Sequence, residues 1–241
     1  MSNTFDEIRA KASALFNNNE MLNEKIAVKA RPLSVEEAIG NPESNDFPIQ
    51  KGNEKLMQAK FRNSLGQAFT DLYGDFSGTL GDVLKMDLKN NYRRSIFIAT
   101  INAVLRDMGL IEKTIHCKDQ EPEICAEELT KHIQTNYGEI KIVHIGFQPK
   151  MIEHLSKVFN IRVMDMDIDN IGEKKYGVMI EAPFNTDDAL NWADLALVTG
   201  TTLSNDTIDK FIGVTPAIFY GTTIAGAAYL MGWNRFCHCA K

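Results

Sequence analysis

The sequence predicts an α/β protein in which a smaller α+β domain precedes a Rossmann-like, doubly wound and mainly parallel sheet. From about residue 139, short apolar strands alternate with helices and short loops, which is typical of a parallel sheet. Before that point the predicted strands precede most of the helices, which indicates an α+β arrangement. We therefore expect two domains, residues 1–138 and residues 139–241.

Apolar periodicity and capping residues define the elements of the first domain. The segment at residues 54–63 alternates as a strand does. Ser77 is a candidate N-cap, Gly109 closes an apolar helix, and Pro122 opens another. The predicted elements are a helix over residues 5–16, strands over residues 24–32 and 54–63, and helices over residues 78–86, 90–110 and 122–138.

Short apolar runs separated by helical patterns define the second domain. Each run is too short for a buried helix and is bounded by glycine or polar residues, which favours strands. The predicted strands cover residues 141–147, 160–167, 195–200, 216–221 and 235–239. The predicted helices cover residues 149–159, 187–193, 204–213 and 224–232.

Composition narrows the partners and the location. The chain has 241 residues, 44% of them hydrophobic, and a formal net charge of −6 at pH 7. This charge, without a basic and aromatic run, argues against a nucleic acid partner. The N-terminus has no apolar signal core, and no apolar stretch is long enough to cross a bilayer, so we expect no membrane partner and a cytoplasmic location.

Polar and small residues follow several predicted strands, where a parallel sheet gathers its carboxyl ends at one edge. Ligands bind at this edge, and strand-to-helix loops there offer backbone N–H groups and hydroxyls to an anion or polar ligand. The candidate ligand-binding residues are Gly146, Phe147, Asp165, Asp167, Thr199, Gly200, Thr201, Thr202, Asn205, Gly221, Thr222 and Thr223. Asn102, a polar residue within an apolar helix, needs a partner and is expected to reach the cleft between the domains.

Each of these residues also has a purely structural interpretation. Thr201, Thr202 and Asn205 are residue types that cap helices. Asp165 and Asp167 are suited to ribose hydroxyls or to a hard cation, and equally to a solvated acidic turn. The first strand of the second domain is not followed by G-x-G-x-x-G, which disfavours ordinary NAD binding, and no standard nucleophile, P-loop or zinc-protease motif appears.

Cysteine and histidine residues suggest a separate metal site. Four free thiols in the cytoplasm are available for zinc, copper or an iron–sulfur cluster, although their spacing matches no standard motif. On a strand Cys237 and Cys239 would share one face and form a clamp. The alternative is that the cysteines are small buried apolar residues. The candidate metal ligands are Cys117, Cys125, His116, Cys237 and Cys239.

Several segments together carry a resemblance to a known family. They are residues 145–149, the acidic strand end at Asp165 and Asp167, residues 192–209, and residues 93–104. The chain resembles the Rossmann-like proteins described as putative heavy-metal chelation proteins, whose members often have a first domain similar to the N-terminal domain of enolase. The resemblance spans most of the chain after about residue 70, and residues 199–202 are its most specific part.

This resemblance implies a ligand cleft between the two domains and a role in binding heavy metals or metal-containing cofactors. The chain departs from the family pattern at two places. Residues 221–223 read Gly-Thr-Thr where the family commonly has Gly-Pro-Ser, and Asp206 stands where a glycine is usual.

The functional hypothesis is binding of a heavy metal, or of an anionic metal-containing small molecule, in this cleft. Two alternatives stay open: an enzyme acting on a nucleotide-like or phosphorylated substrate at the same strand edge, and a scaffold or assembly protein. A homo-oligomer is compatible with each of them.

Overall fold

The computed structural model describes residues 3–18, 21–23, 28–42, 46–52 and 54–241. Within them the strands are β1 (Val28–Pro32), β2 (Lys55–Phe61), β3 (Ser64–Thr70), β4 (Phe76–Gly78), β5 (Lys141–Ile145), β6 (Asn160–Met164), β7 (Lys174–Lys175), β8 (Val178–Glu181), β9 (Leu195–Thr199), β10 (Ala217–Tyr220) and β11 (Arg235–Phe236). The α-helices are α1 (Asn3–Asn18), α2 (Val35–Ile39), α3 (Leu80–Leu84), α4 (Asn91–Asp107), α5 (Glu121–Tyr137), α6 (Pro149–Ser156), α7 (Thr186–Trp192), α8 (Thr201–Ser204) and α9 (Ala225–Met231). In these ranges no helix is long and apolar enough to span a bilayer.

Strands β1 to β4 form an antiparallel sheet, in the order β3-β2-β1-β4 among the described residues. Strand β2 confirms the strand expected over residues 54–63, and a tight turn at Arg62, with φ +50°, joins it to β3. The sequence did not predict β3, because Gly66 and Gln67 interrupt its apolar pattern. Residues 24–27 of the strand expected over residues 24–32 lie outside the described residues.

The expected cap at Ser77 is wrong, because Ser77 lies in β4 and Thr79 caps α3 instead. The Thr79 hydroxyl accepts a hydrogen bond from the backbone N–H of Asp82 at 3.1 Å, and the Asp82 carboxylate accepts the N–H of Thr79 at 2.8 Å. This reciprocal pair satisfies donors that the first helical turn would otherwise leave free. The two-residue shift follows from the better capping geometry at Thr79.

Helix α4 links the first sheet to the second half of the molecule. Residues 94–105 are all buried, and the helix packs on β2 and β3 while it also contacts α8 and α9. Arg94 reinforces this link, because its Nε donates to the carbonyl of Ser204 at 2.7 Å. An apolar core therefore runs from the first sheet into the helices that cover the second.

The second sheet has the order β11-β10-β9-β5-β6-β8-β7 in the described part of the chain. Its neighbouring strands are parallel except for β7 and β8, which confirms the predicted mainly parallel sheet. Strand β5 is the first strand of this sheet in chain order, and it lies between β6 and β9. The strand order therefore reverses at β5, and ligands of such sheets bind outside the carboxyl ends of the strands at this point.

Two elements expected in the second half are shorter than predicted. The helix expected over residues 204–213 is replaced by α8 and a 3-10 turn at Ile208–Phe211, because Asp206 adopts a left-handed conformation with φ +58° between them. The strand expected over residues 235–239 ends after Phe236, so Cys237 and Cys239 do not share a strand face. The predicted clamp on one strand face is therefore wrong.

Helix α5 packs with the second sheet, although it precedes the expected boundary at residues 138 and 139. It contacts α6, and Leu129 and Ile133 share an apolar cluster with Ile142 of β5. The division into residues 1–138 and residues 139–241 stays a prediction.

Candidate functional site

A pocket of about 720 Å³ lies at the carboxyl ends of β5, β6, β9 and β10. The end of β3 and the segment before β2 contribute Phe69, Thr70, Asp71 and Glu54 to its wall, so both sheets line it. This position coincides with the reversal of strand order at β5. The pocket is therefore where the fold predicts a ligand.

Carboxylates dominate the charged groups of the pocket. Among the described residues that line the pocket, Lys210 is the one lysine or arginine. His116 also lines it, but burial lowers the pKa of His116 to about 4, so its ring is neutral at pH 7. The carboxylates that line the pocket are Glu54, Asp71, Asp165, Asp167 and Asp169.

Asp165 organises the loop that follows β6. Its Oδ2 accepts the N–H of Phe147 at 2.6 Å, and its Oδ1 accepts the N–H of Asp167 at 2.8 Å and the Nδ2 of Asn170 at 3.3 Å. Burial nevertheless raises the pKa of Asp165 above its ordinary value. Asp167 repeats the pattern, since its Oδ1 accepts the N–H of Asp169 at 3.0 Å. Serial turns of this kind hold the carboxylates at the strand end.

Glu54 shows that carboxylates from the two sheets face one another. Burial and the negative charges of Asp165, Asp167 and Asp71, in that order of effect, raise the pKa of Glu54 to about 7. Because Asp165 and Asp167 follow β6 whereas Glu54 precedes β2, this coupling spans the pocket. The pocket therefore carries crowded negative charge that the protein relieves by holding a proton on Glu54 near neutrality.

The first threonine loop, residues 199–202, lies at the end of β9, and its hydroxyl groups form hydrogen bonds within the loop. The hydroxyls of Thr199 and Thr201 lie 3.1 Å apart, and the Thr202 hydroxyl donates to the carbonyl of Thr199 at 2.7 Å. Asn205, at the end of α8, accepts from Asn91 Nδ2 at 3.3 Å. The hydroxyls thus shape the turn before α8, and they also line the pocket.

The second threonine loop, residues 221–223, follows β10 and is tied to the first sheet. The Thr223 hydroxyl accepts the N–H of Phe69 in β3 at 3.0 Å. Thr222 is 1% exposed, and its Oγ1 is buried without a hydrogen-bond partner among the described groups. Thr222 also lines the pocket, so its unpartnered hydroxyl is a candidate hydrogen-bonding group for a bound molecule.

Asn102 does not line the pocket but anchors the second threonine loop. Its Nδ2 donates to the carbonyls of Gln67 at 2.9 Å, Thr222 at 3.1 Å and Thr223 at 3.3 Å, and its Oδ1 accepts the N–H of Gly226 at 2.7 Å. The side chain of Asn102 is therefore satisfied by backbone groups of β3, the second threonine loop and α9. Asn102 positions the loop instead of touching a ligand.

Gly146 and Phe147 shape the centre of the pocket. The N–H of Gly146 donates to the carbonyl of Met164 at 2.8 Å, and Gly146 has φ +92°. Phe147 is largely buried, and the ammonium group of Lys175 lies 5.9 Å from its ring centroid. Both residues line the pocket wall through their place in the loop after β5.

The cysteines gather in one region, although they do not form a metal shell. Cys117, Cys125 and Cys237 line the pocket, and Cys239 packs against the apolar cluster that contains Cys125. The rings of His116 and Phe69 are nearly perpendicular, with their centroids 5.1 Å apart. Among the described residues, no three His, Cys, Asp or Glu side chains are placed to hold one metal ion.

Sequence reasoning missed Glu54, Asp71 and Asn91. Asp71 Oδ1 accepts from Asn91 Nδ2 at 2.6 Å, and Asn91 lies at the first turn of α4. The position of Asp71 directly after a strand is a weak signal. Which strand ends of the first sheet face the second depends on tertiary packing, which a local pattern does not encode.

Comparison with known proteins agrees with this fold. A solved protein of unknown function from Pyrococcus horikoshii, assigned to the DUF364 family, matches with a TM-score of 0.54 at 18% identity, over 91% of this chain and 79% of that chain. A second DUF364 protein of unknown function, from Desulfitobacterium hafniense, matches with a TM-score of 0.51 at 13% identity, over 73% of this chain and 72% of that one. No curated protein matches the chain.

A match to a protein family covers much of the second half of the chain. Residues 129–225, which include the carboxylate loop after β6 and both threonine loops, match a family model described as putative heavy-metal chelation. The likeness of the first half to the N-terminal domain of enolase stays a prediction. The predicted resemblance is thus confirmed: residues 129–225 match the model of the DUF364 family of putative heavy-metal chelation proteins, and both solved structures reported above are DUF364 proteins of unknown function.

Proposed function

We propose that the pocket binds a metal cation, either free or carried by a small organic molecule. The observation that carries this proposal is the excess of carboxylates over cations on the described wall, with Glu54 coupled to Asp165, Asp167 and Asp71. Carboxylate oxygens are ligands for hard cations, and a bound cation would relieve their mutual repulsion. Because no three ligand side chains among the described residues are placed to hold one ion, the cation would be held by fewer carboxylates, with water or the organic molecule completing its shell. The description of the matched family, putative heavy-metal chelation, supports the same conclusion.

The alternative of an anionic ligand has weaker support. Binding of an anion would depend on the helix N-termini after the two threonine loops. These helices are short, since α8 has four residues and α9 has seven. Helices this short offer a small dipole, and the carboxylates opposite would repel an anion. The same repulsion disfavours an enzyme that acts on a nucleotide-like or phosphorylated substrate.

The size of the pocket favours a ligand larger than a bare ion. A volume of about 720 Å³ lies within the range of small-molecule sites. Apolar side chains such as Phe47, Ile49 and Phe211 line part of the wall, and Thr222 offers an unpartnered hydroxyl. A metal complex with an organic part would use all three features. A scaffold protein would have no need of the charged wall.

The expected cellular setting follows from the thiols. Cys117, Cys125, Cys237 and Cys239 are free, which fits a reducing cytoplasm. A homo-oligomer is compatible with the proposal.

Calorimetric titration of the purified protein with Mn²⁺ and with Zn²⁺ at pH 7 tests the proposal. We expect saturable binding that Glu54→Gln weakens by about tenfold, because the variant removes one anionic ligand from the cluster. Glu139→Gln is the matched control, since Glu139 is exposed and does not line the pocket. A site at the carboxylates would be contradicted if neither cation binds, or if wild type and Glu54→Gln bind with equal affinity.

A further inference from the structure

The C-terminal segment, residues 235–241, returns to the segment at residues 113–118. The N–H of Ile115 donates to the carbonyl of Lys241 at 2.8 Å, and the N–H of Lys241 donates back to the carbonyl of Ile115 at 3.0 Å. Arg235 adds a bond from its Nη2 to the carbonyl of Lys113 at 2.6 Å. These bonds therefore hold residues 235–241, which contain Cys237 and Cys239, beside residues 113–118, which contain Cys117.

Helix α5 brings Cys125 to the same place. Cys125 belongs to an apolar cluster against which Phe236 and Cys239 pack, and the ring of His132 on α5 lies 5.4 Å from that of Phe236. Cys125 and Cys237 both line the pocket. The three thiols of α5 and the C-terminal segment thus meet at the pocket edge beside β11.

This region is separate from the carboxylates. Strand β11 and strand β6 are separated by β10, β9 and β5. At about 4.8 Å per strand, their carboxyl ends stand roughly 19 Å apart. Cys237 follows β11 and Asp165 follows β6, so the pocket has a sulfur side and an oxygen side.

Two cationic side chains lie near the thiols of the C-terminal segment. Arg235 lies beside Cys237, and Lys113 is near Cys237 and Cys239. Burial raises the pKa of Cys237, Cys239 and Cys117 above the ordinary value of a thiol, so a metal must displace their protons. His116, next to Cys117, keeps Nδ1 buried without a hydrogen-bond partner among the described groups, so the region also holds an unused polar atom.

We propose that Cys125 and the C-terminal thiols Cys237 and Cys239 bind a soft cation such as Cu⁺ through two thiolates, one from α5 and one from the C-terminal segment. Thiolates select soft cations, and Cu⁺ is satisfied by two of them. This coordination agrees with the finding that, in the described chain, no three ligand side chains converge on one point. On binding, two thiols release their protons to solvent, and Arg235 and Lys113 balance the resulting negative charge.

The site is independent of the proposed function, and two matched titrations separate them. Under anaerobic conditions, Cu⁺ is titrated in competition with a chromogenic copper chelator against wild type, Cys125→Ser, the double variant Cys237→Ser with Cys239→Ser, and Cys117→Ser. We expect one Cu⁺ per wild-type chain and a loss of affinity of at least about tenfold in the first two variants. Cys117→Ser is the thiol control and should keep wild-type affinity, as should Glu54→Gln.

Two further samples guard against loss of folding as an explanation. Ala126→Ser places a hydroxyl beside Cys125 on the same buried stretch of α5 and should keep the Cu⁺ affinity. The urea-unfolded wild type, which has the same four thiols, should bind more weakly than the folded protein. Wild-type affinity in Cys125→Ser, or loss in Cys117→Ser with retention in the double variant, would overturn the proposal. Equal affinity of folded and unfolded wild type would also overturn it.

Discussion

The two threonine loops have similar sequences but different structural roles. The first threonine loop satisfies its hydroxyls locally, since Thr202 bonds to Thr199 in the same turn. The second threonine loop is held from outside, by Asn102 of α4 and by the N–H of Phe69 in β3, and it leaves Thr222 Oγ1 without a partner among the described groups. A short motif therefore fixes a turn, whereas the packing around it decides which hydroxyl is left without a hydrogen-bond partner.

Replacing Asn102 with alanine should have the largest effect, because it removes the anchor of the second threonine loop. The change removes the acceptor of the Gly226 N–H and one donor to each of the carbonyls of Gln67, Thr222 and Thr223, in the interior of the protein. We expect the free energy of unfolding to fall by about 3–5 kcal/mol in a urea titration. Asn136→Ala, at an exposed position of α5, should change it by less than about 0.5 kcal/mol. Equal effects of the two changes would contradict the anchoring role.

Gly146→Ala and Gly221→Ala form a matched pair that compares the packing against the first threonine loop with the surroundings of the second. Gly146 follows β5 and lies against Thr199, and Gly221 begins the second threonine loop. Their φ values are +92° and +94°, so alanine is strained equally in both backbones. A Cβ at Gly146 would lie 2.7 Å from Thr199 Cγ2, whereas a Cβ at Gly221 meets nothing within 4 Å. Thermal unfolding should show a loss of about 2–4 kcal/mol for Gly146→Ala and about 1–2 kcal/mol for Gly221→Ala. A larger loss at Gly221 would mean that the loop after β10 is the more tightly packed.

Thr223→Val and Thr222→Val should give the smallest effects and separate the two hydroxyls of the second threonine loop. Valine at residue 223 removes the acceptor for Phe69 N–H, which should cost about 1–2 kcal/mol. Valine at residue 222 removes a hydroxyl without a partner among the described groups, so the free energy of unfolding should change by less than about 0.5 kcal/mol. Chemical unfolding of both variants checks this, and a greater cost at residue 222 would reveal a structural bond of Thr222 in solution.

The sequence predicted five of the seven described strands of the second sheet, missing the short strands β7 and β8, and it predicted the pocket in part. Apolar runs such as β5 and β9 are buried on both faces, and their pattern is local. The carboxylates of Glu54 and Asp71 could not be predicted, since their role depends on how the first sheet faces the second. Cys237 and Cys239 were expected on a strand because of their alternation, but the C-terminal chain bends after Phe236 to reach Ile115.

The pKa of Glu54 tests the central claim, binding of a cation at the carboxylates, most directly. In the metal-free protein it should be about 7, because burial and the neighbouring carboxylates disfavour the charge. The raised value means that Glu54 makes the free energy of unfolding fall as the pH rises from about 4.5 through 7, and Glu54→Gln should remove this contribution. Carbon-13 NMR of labelled glutamate carboxyls, recorded across this pH range with and without saturating Zn²⁺, measures the pKa. We expect a pKa near 7 that falls below about 5 when Zn²⁺ binds. An ordinary value in the metal-free protein, or a value near 7 that saturating Zn²⁺ leaves unchanged, would contradict it.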